Sequence, residues 1–467
     1  MRTLVWFRGK DLRVADHGPL REAVAAGEVI PVFVLDPYFF APERARELPH
    51  RVQFLLDSLR SLAANLAHLG SRLLVVAGPS VEVIPRLAAQ WKVDRVAAHR
   101  WSEPFGVERD RRISAALAQL GIAFALHEGE TLAPPDSILN QKGDMFGVFT
   151  PFARAFFREA KIAAPSPAPK SLPPIPGGVR ADEAPIPSIQ SLGLQDNPLL
   201  QRGGEKAAHL RMKGFLAGPL LGYGNDRNRM DLEGSSRLSA DLKFGTLSVR
   251  TLWRAASGQE GESTRAYLNE LVWREFAHHL LWHHPALLTE PFRKSFQGFP
   301  WREDEPAWRA WCEGRTGYPV VDAAARQLLA TGFVHNRARM IAASFLTKHL
   351  LISYRRGEGH YLKWLTDGDW ANNNAGWQWS AGCGCDAQPW FRIFNPVLQG
   401  EKFDPLGNYV RAWIPELASF DTKWVHKPWL APETLCRKLD YPGPIVDHAI
   451  ARARFLAVAQ THLKAQD

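Results

Sequence analysis

Asp367-Gly-Asp-Trp-Ala-Asn-Asn-Asn-Ala-Gly-Trp-Gln-Trp379 is the stretch on which the reading of this chain turns. Two carboxylates, three consecutive amides and three tryptophans share thirteen positions. Asp and Asn at this density ordinarily mark turns, because their side chains bond the local backbone and compete with helix. Turn chemistry does not account for the interleaved tryptophans, each of which needs burial and a partner for its indole N–H. Two readings stand: a structural turn cluster, or the wall of a pocket around a flat, polar, aromatic ligand.

Outward from that stretch the apolar residues recur at helical spacing, and strand signals are missing from about Glu205 to the end. Residues 205–467 therefore read as one large all-α domain. Upstream, nine prolines lie between Pro165 and Pro198. Such a segment cannot be helix or central strand, so residues 131–204 read as an extended interdomain connector. Residues 1–130 alternate short apolar runs (4–7, 29–35, 73–77, 93–98, 122–126) with helical periodicity, notably over 52–69 and 80–91. That is the pattern of an α/β domain with a doubly wound, mostly parallel sheet. No G-x-G-x-x-G follows the first run, so the sheet need not hold a dinucleotide.

With 467 residues the chain can bury two or three full cores, and its 46% apolar content is ordinary for a soluble protein. Its 17 tryptophans are above the usual share, and the net charge of +9 suits a polyanionic partner without requiring one. Four cysteines (Cys312, Cys383, Cys385, Cys436) make no disulfide framework and suggest a reducing compartment. Cys383-Gly-Cys385 lacks the C-x-x-C spacing of common metal sites, so two ordinary thiols and no metal are expected. The N-terminus meets a charge at Arg2, too early for a secretory signal, and no apolar run reaches transmembrane length. A soluble, cytoplasmic monomer is expected.

Three further segments carry chemistry. Glu233-Gly-Ser-Ser-Arg-Leu-Ser239 sets three hydroxyls and an arginine beside a glycine, as a phosphate cradle at a helix start would, although a plain N-cap uses the same residues. Leu268-Asn-Glu-Leu-Val-Trp-Arg-Glu-Phe276 is helical by pattern, with Glu270 and Trp273 on one face. A carboxyl held against an indole there would be desolvated and kept protonated, against the blander alternative of an exposed Glu beside a half-buried Trp. His335-Asn-Arg-Ala-Arg-Met340 opens another helix, with Asn336 and Arg339 on one face and Arg337 and Met340 on the next. One such helix can touch two ligands, or simply carry solvated charges.

Taken in order with Trp6-Phe-Arg8, Asp11-Leu-Arg13, Gly317-Tyr-Pro-Val-Val-Asp-Ala-Ala324 and Phe391-Arg-Ile-Phe-Asn-Pro396, these motifs resemble the DNA photolyase/cryptochrome family over essentially the whole chain. The resemblance is closest to class I enzymes for cyclobutane pyrimidine dimers. It implies FAD in the helical domain, working as the reduced anion. It implies phosphate contacts from Tyr223 and from Ser235, Ser236, Arg237, Leu238 and Ser239. Arg339 would pair with Asp367 beside the flavin ring, with Asp369 close by and Asn373 facing flavin N5. A neutral amide suits that last place, because a carboxylate would repel a buried anion.

The implied activity is light-driven repair of UV-damaged DNA by electron transfer from excited reduced FAD to a flipped-out dimer. The alternative is a cryptochrome-type blue-light receptor that repairs nothing. Arg227, Arg337 and Arg392 match positions that hold the strand, while Glu270, Trp273, Asn336, Met340 and Trp379 match the dimer pocket. Trp273 and Trp379 would pack on the two pyrimidines. Asn336 and Met340 stand where enzymes for the (6-4) lesion carry histidines, which argues against that lesion.

Three departures qualify the resemblance. The family's electron relay is usually three tryptophans, and here Trp377 and Trp301 flank Tyr354. Tyrosine is harder to oxidise unless its proton leaves too, so slow photoreduction or a detour through another aromatic such as Trp364 is expected. The turn Trp6-Phe-Arg-Gly-Lys-Asp-Leu-Arg13 is one residue longer than its commonest form, and Val107-Glu108 replaces the Asn-Glu pair of folate-binding members. Glu103-Pro-Phe-Gly106 is more like members with a deazaflavin antenna, so a deazaflavin-type antenna is expected over folate in the α/β domain, with an empty or flavin-filled pocket as the alternatives.

Overall fold

A computed structural model describes residues 1–436 and 439–464; the side chain of Cys436 lies outside the described part. The chain packs into two compact units, Met1–Leu221 with Ser236–Pro285 and Gly222–Ser235 with Ala286–Asp467. These units do not coincide with the compositional division at 204, because Glu205–Ala217 and Glu262–His283 pack within the first.

The first unit is built on five parallel strands: β1 (Arg2–Phe7), β2 (Glu28–Leu35), β3 (Leu74–Ala77), β4 (Arg95–His99) and β5 (Ala123–His127), in the order β3-β2-β1-β4-β5. Helices cover both faces of a parallel sheet, which is why its strands read as continuous apolar runs. Val5, Phe7, Val29, Phe33 and Val75 enter one core, and Leu4, Trp6, Ile30, Val32 and Val96 the other. Strand order turns back between β1 and β4, which makes the carboxyl ends of those two strands the switch point of the sheet.

The proline-rich segment is a strap rather than a free connector. Leu172, Val179, Ile189 and Leu192 are buried in the two sheet cores, and Glu183 bridges to Val76 of β3. Leu172 and Ala184 donate to the Leu69 and Val75 carbonyls at 2.7 and 2.9 Å. Prolines remove helix and ladder options but do not stop the apolar residues between them from docking.

The turn after β1 is anchored to the first unit's helical segments. Leu12 N–H donates to the Phe244 carbonyl at 3.2 Å, and Arg13 donates to the Gly245 carbonyl at 2.9 Å. Gly245 is left-handed, and a Cβ there would strike the Lys10 carbonyl, so this crossing requires glycine. Glu205 accepts from the amides of Val14 and Ala15 at 3.0 and 2.9 Å.

The second unit contains no described strand. Its core gathers Phe345, Leu346, Ile352, Val410, Leu417 and Phe455 around the helix Pro319–Thr331. The helix Asn336–Ser344 continues into a π-helical turn, Phe345–His349, which buries Lys348 completely. No described helix is long and apolar enough to cross a membrane.

Candidate functional site

The opening stretch folds into a helix start, not a turn cluster. Asp369 caps the helix Trp370–Ala381 by accepting from the Asn372 amide at 2.9 Å, which satisfies one of the free N–H groups of the first turn. Its amides are then divided by direction. Asn374 is buried and donates to the Glu358 carboxyl and the Leu287 carbonyl, both at 2.9 Å. Asn373, half-buried, donates its NH2 to the Glu358 carbonyl at 3.1 Å, which leaves its own carbonyl oxygen as the group presented elsewhere. Glu358 has no cation bonded to it, and burial raises its carboxyl to about 7.

The helix Asn336–Ser344 faces two kinds of chemistry. On one side the Arg339 guanidinium forks onto Asp367 at 2.9 and 3.2 Å and donates to the Val334 carbonyl at 2.8 Å. On another, Arg337 donates to the Asn228 carbonyl at 2.6 Å and lies 4.4 Å from the Phe403 ring centre. Burial lowers the Arg337 pKa, and the nearby charges of Arg227 and Arg392 lower it further. Arg227 lies over the ring of buried Tyr223 at 5.8 Å. Arg392 is exposed, and its carbonyl accepts from buried Lys348 at 2.8 Å, with burial bringing that ammonium down to about 7. Asn336 and Met340 touch across one turn, Nδ2 to Sδ at 3.9 Å, and Trp379 is half-buried on its own helix.

The first unit carries the remaining expected residues. Glu270 and Trp273 are both half-buried on the helix Glu262–His283. Trp273 stacks face to face on Phe149 at 3.5 Å and 7°, so one face of its ring is already covered. Phe149, in Val148-Phe-Thr-Pro151, was missed by the sequence reading; an apolar Phe before a helix carries no local sign of so distant a partner. The segment after Ser235 turns through Arg237 in a left-handed conformation (φ 50°) into the helix Ser239–Phe244, which no side chain caps. Asn228, Phe403 and Glu358 were also missed.

Each unit, taken by itself, offers groups of the kind FAD needs. An uncapped helix start beside Ser236 and Ser239 offers amides to phosphate. Arg339, neutralised by Asp367 yet only partly buried, offers a cation without an isolated charge. The switch point of the sheet, where a second chromophore is expected, is lined by tryptophans and arginines. They are Trp6, Arg8, Trp101 and Arg109, none more than 6% exposed, with the Arg109 guanidinium 4.3 Å from the Trp101 ring centre and 4.8 Å from that of Trp6. The extra residue of the turn, Lys10, is buried too and paired with Glu103 and Glu130. Arg8 Nε and Trp101 Nε1 are buried without a hydrogen-bond partner among the described residues, donors that a polar ligand there could take.

Residues 3–170 match the family described as DNA photolyase, and residues 267–461 match the FAD binding domain of DNA photolyase. The chain is 38% identical to a deoxyribodipyrimidine photo-lyase of Agrobacterium fabrum, over 97% of this chain and 96% of the relative. It is 40% identical to one from Thermus thermophilus, with 98% of each covered. Among solved structures, it superposes on a bacterial class III photolyase from Agrobacterium tumefaciens with a TM-score of 0.93 at 38% identity, covering 99% of this chain and 98% of that one. A Synechocystis cryptochrome gives 0.90 at 31% identity, covering 98% and 99%. The chain belongs to the DNA photolyase family, with an α/β sheet region followed by a helical FAD-binding region. The class I assignment is not carried by these likenesses, since a class III structure is among them.

Proposed function

We propose that this protein is a light-driven DNA repair lyase for cyclobutane pyrimidine dimers, of the class I kind, acting in the cytoplasm as a monomer. Residues 205–467 serve as the FAD-binding catalytic region, and 1–130 as the α/β region. The observation that carries the reading is the two-sided helix Asn336–Ser344. Arg339 on one side is committed to Asp367, while Arg337 on another is gathered with Arg227 and Arg392 against mutual repulsion. Cations clustered in this way suit a polyanion, and DNA phosphates are the polyanion that the relatives' names imply.

Bound FAD, reduced and excited by light, supplies one electron to the dimer and takes it back after the ring bonds break. The chain does the rest by positioning and electrostatics. Arg339 and Asp367 would hold the charge balance beside the flavin ring, and Asn373 would offer it a neutral carbonyl oxygen. Tyr223 and Ser235, Ser236, Arg237, Leu238 and Ser239 take the phosphates. Arg227, Arg337 and Arg392 hold the backbone of a strand whose damaged pair leaves the stack, which costs less than flipping an intact pair. Glu270 bonds the bases, Trp273 offers its one open face, and Trp379, Asn336 and Met340 pack on the lesion. No step needs an antenna.

The test mixes chemically reduced protein with an oligonucleotide bearing one cyclobutane thymine dimer, in light and in darkness. Thymines restored only in light support the proposal, and Glu270→Ala should lose most of that activity. The second reading, a light receptor without repair, is favoured by the likeness to a cryptochrome. It takes over if the dimer survives while reduced flavin is bound.

A further inference from the structure

Lys348 is 0% exposed, in the π-helical turn Phe345–His349 that carries on from the helix bearing Arg337 and Arg339. Among the described residues its ammonium has one hydrogen bond, to the Arg392 carbonyl at 2.8 Å, and no carboxylate. A lysine so placed is costly to bury. A methionine would fill much the same space without that cost, so packing does not account for the residue. What it touches is the backbone of a residue read above as a strand contact.

Arg392 is pinned at its backbone and open at its tip. Its N–H donates to the Pro389 carbonyl at 2.9 Å, its carbonyl accepts from Lys348, and its exposed guanidinium lies 5.8 Å from the ring centre of buried Phe394. Three residues on, Asn395 caps the helix Pro396–Phe403 by accepting from the Val397 amide at 3.0 Å. Lys348 is held just as firmly. The Leu350 N–H reaches the Phe345 carbonyl, five residues back, at 3.1 Å, and single π turns of this kind recur at functional sites.

We propose that Lys348 is a positioning residue for DNA binding: from the same helical run as Arg337 it fixes the Arg392 backbone from inside the core, so that both guanidiniums meet the strand's phosphates at a set spacing. The proposal rests on the reading of Arg337 and Arg392 as strand contacts.

This arrangement ties a proton to the strand. Burial brings the Lys348 ammonium down to about 7, and the groups that face it are the Cys383 thiol and Arg392. On the side of the helix His448–Lys464 lies the Phe455 ring, 6.0 Å from the amine. His448 and Arg454 of that helix bond the neighbouring His349. Burial holds Cys383 up at about 12, His349 down at about 3 and His448 below its ordinary value. Above pH 7, Lys348 is the group among them that changes charge. A phosphate on the Arg392 guanidinium cancels a positive charge beside the amine, which then holds its proton more tightly. Binding therefore takes up a proton, and the protonated amine grips the carbonyl through the stronger, charge-assisted form of the bond.

The test is calorimetric titration of the full, flavin-loaded chain with a dimer-bearing oligonucleotide, in darkness, in two buffers of different ionisation heat. Wild type should take up roughly half a proton near pH 7.5 and lose about three- to tenfold in affinity between about pH 6.5 and 9. Lys348→Met should abolish that uptake and weaken binding at the lower pH by about three- to tenfold. With dithionite-reduced protein in light it should raise KM for repair and leave kcat nearly unchanged. In an Arg392→Gln background the same change should cost nothing further, because Lys348 acts through Arg392. Full additivity of the two changes, or proton uptake that survives in Lys348→Met, overturns the proposal. If Lys348→Met fails to hold flavin, wild type decides, and no proton taken up near pH 7.5 overturns it. If Arg392→Gln leaves affinity and its salt dependence untouched, the strand-contact reading fails and the proposal falls with it. If Arg392→Gln weakens binding and Lys348→Met does not, that reading stands and the proposal alone fails.

Discussion

Two arginine clusters, one in each unit, share their composition and differ in their neighbours. At the end of β1, Arg8 and Arg109 are buried among Trp6 and Trp101, and both bond Asp110, at 2.6 and 3.1 Å. In the second unit Arg337 has an amide oxygen and the Phe403 ring, while the charges acting on it are two more arginines. The first cluster closes on its own carboxylate, which takes both guanidiniums. Around Arg337 the charges of Arg227 and Arg392 oppose its own, and an arriving anion would relieve that opposition. Arginine beside aromatic rings is thus no signature by itself. What separates the two is the group bonded to the guanidinium: a carboxylate for Arg8 and Arg109, an amide oxygen for Arg337.

The largest effect should come from removing that acid. Asp110→Asn leaves two buried guanidiniums without their carboxylate, and burial has already lowered Arg109 to about 10. Breaking a buried pair from one side costs about 3–5 kcal/mol. Urea unfolding followed through Trp6 and Trp101 fluorescence should show the first unit's transition moving to lower denaturant by that amount. A loss under about 1 kcal/mol would mean the cluster is wet and open, and the antenna crevice with it.

A smaller change distinguishes a buried acid bonded to two cations from one whose hydrogen bond is to an amide and which feels Arg355 only through its charge. Glu358 is raised from 4.5 to about 7, chiefly by burial, while the Asn374 hydrogen bond pulls it down. The folded state holds this proton more tightly than the unfolded chain does. Its contribution is therefore fully present below pH 4.5 and is lost as pH rises through about 7. Glu358→Gln keeps the acceptor for Asn374 and removes the titration. Above pH 7 the variant should be the more stable of the two, by at most about 2–3 kcal/mol, and the difference should vanish at pH 4.5. Glu275 is raised in the same direction and is common to both proteins, so melting curves are read as the difference between them.

The sheet was legible because β1 to β4 are buried on both faces and write continuous apolar runs; runs such as 93–98 and β4 at Arg95–His99 differ only at their ends. The strap was not, because its anchors are single residues, such as Leu172 and Val179, dispersed among prolines. For the site, residue types were legible and partners were not. Arg339 with Asp367 came from resemblance, since nothing local connects residues so far apart. Trp273 was read by helix face, but its stacking on Phe149 depends on a separate helix packing against it.

The subtlest test is in the second cluster, where two effects of one change have opposite signs. Arg337→Gln removes a charge that Arg227 and Arg392 oppose, so folding should not weaken and can gain slightly. The Asn228 contact survives, because the glutamine amide can still donate to it. DNA binding should weaken by about tenfold, or about 1.4 kcal/mol, for damaged and undamaged strands alike, because a phosphate contact carries no sequence information. A titration of affinity against salt should lose about 0.9 from its logarithmic slope, the share of one phosphate. If Arg337→Gln lowers stability and leaves the slope unchanged, Arg337 is a structural plug like Arg109, and the contrast between the two clusters fails. If slope and affinity fall while light-driven repair at saturating DNA keeps its rate, Arg337 holds the strand and takes no part in the electron transfer.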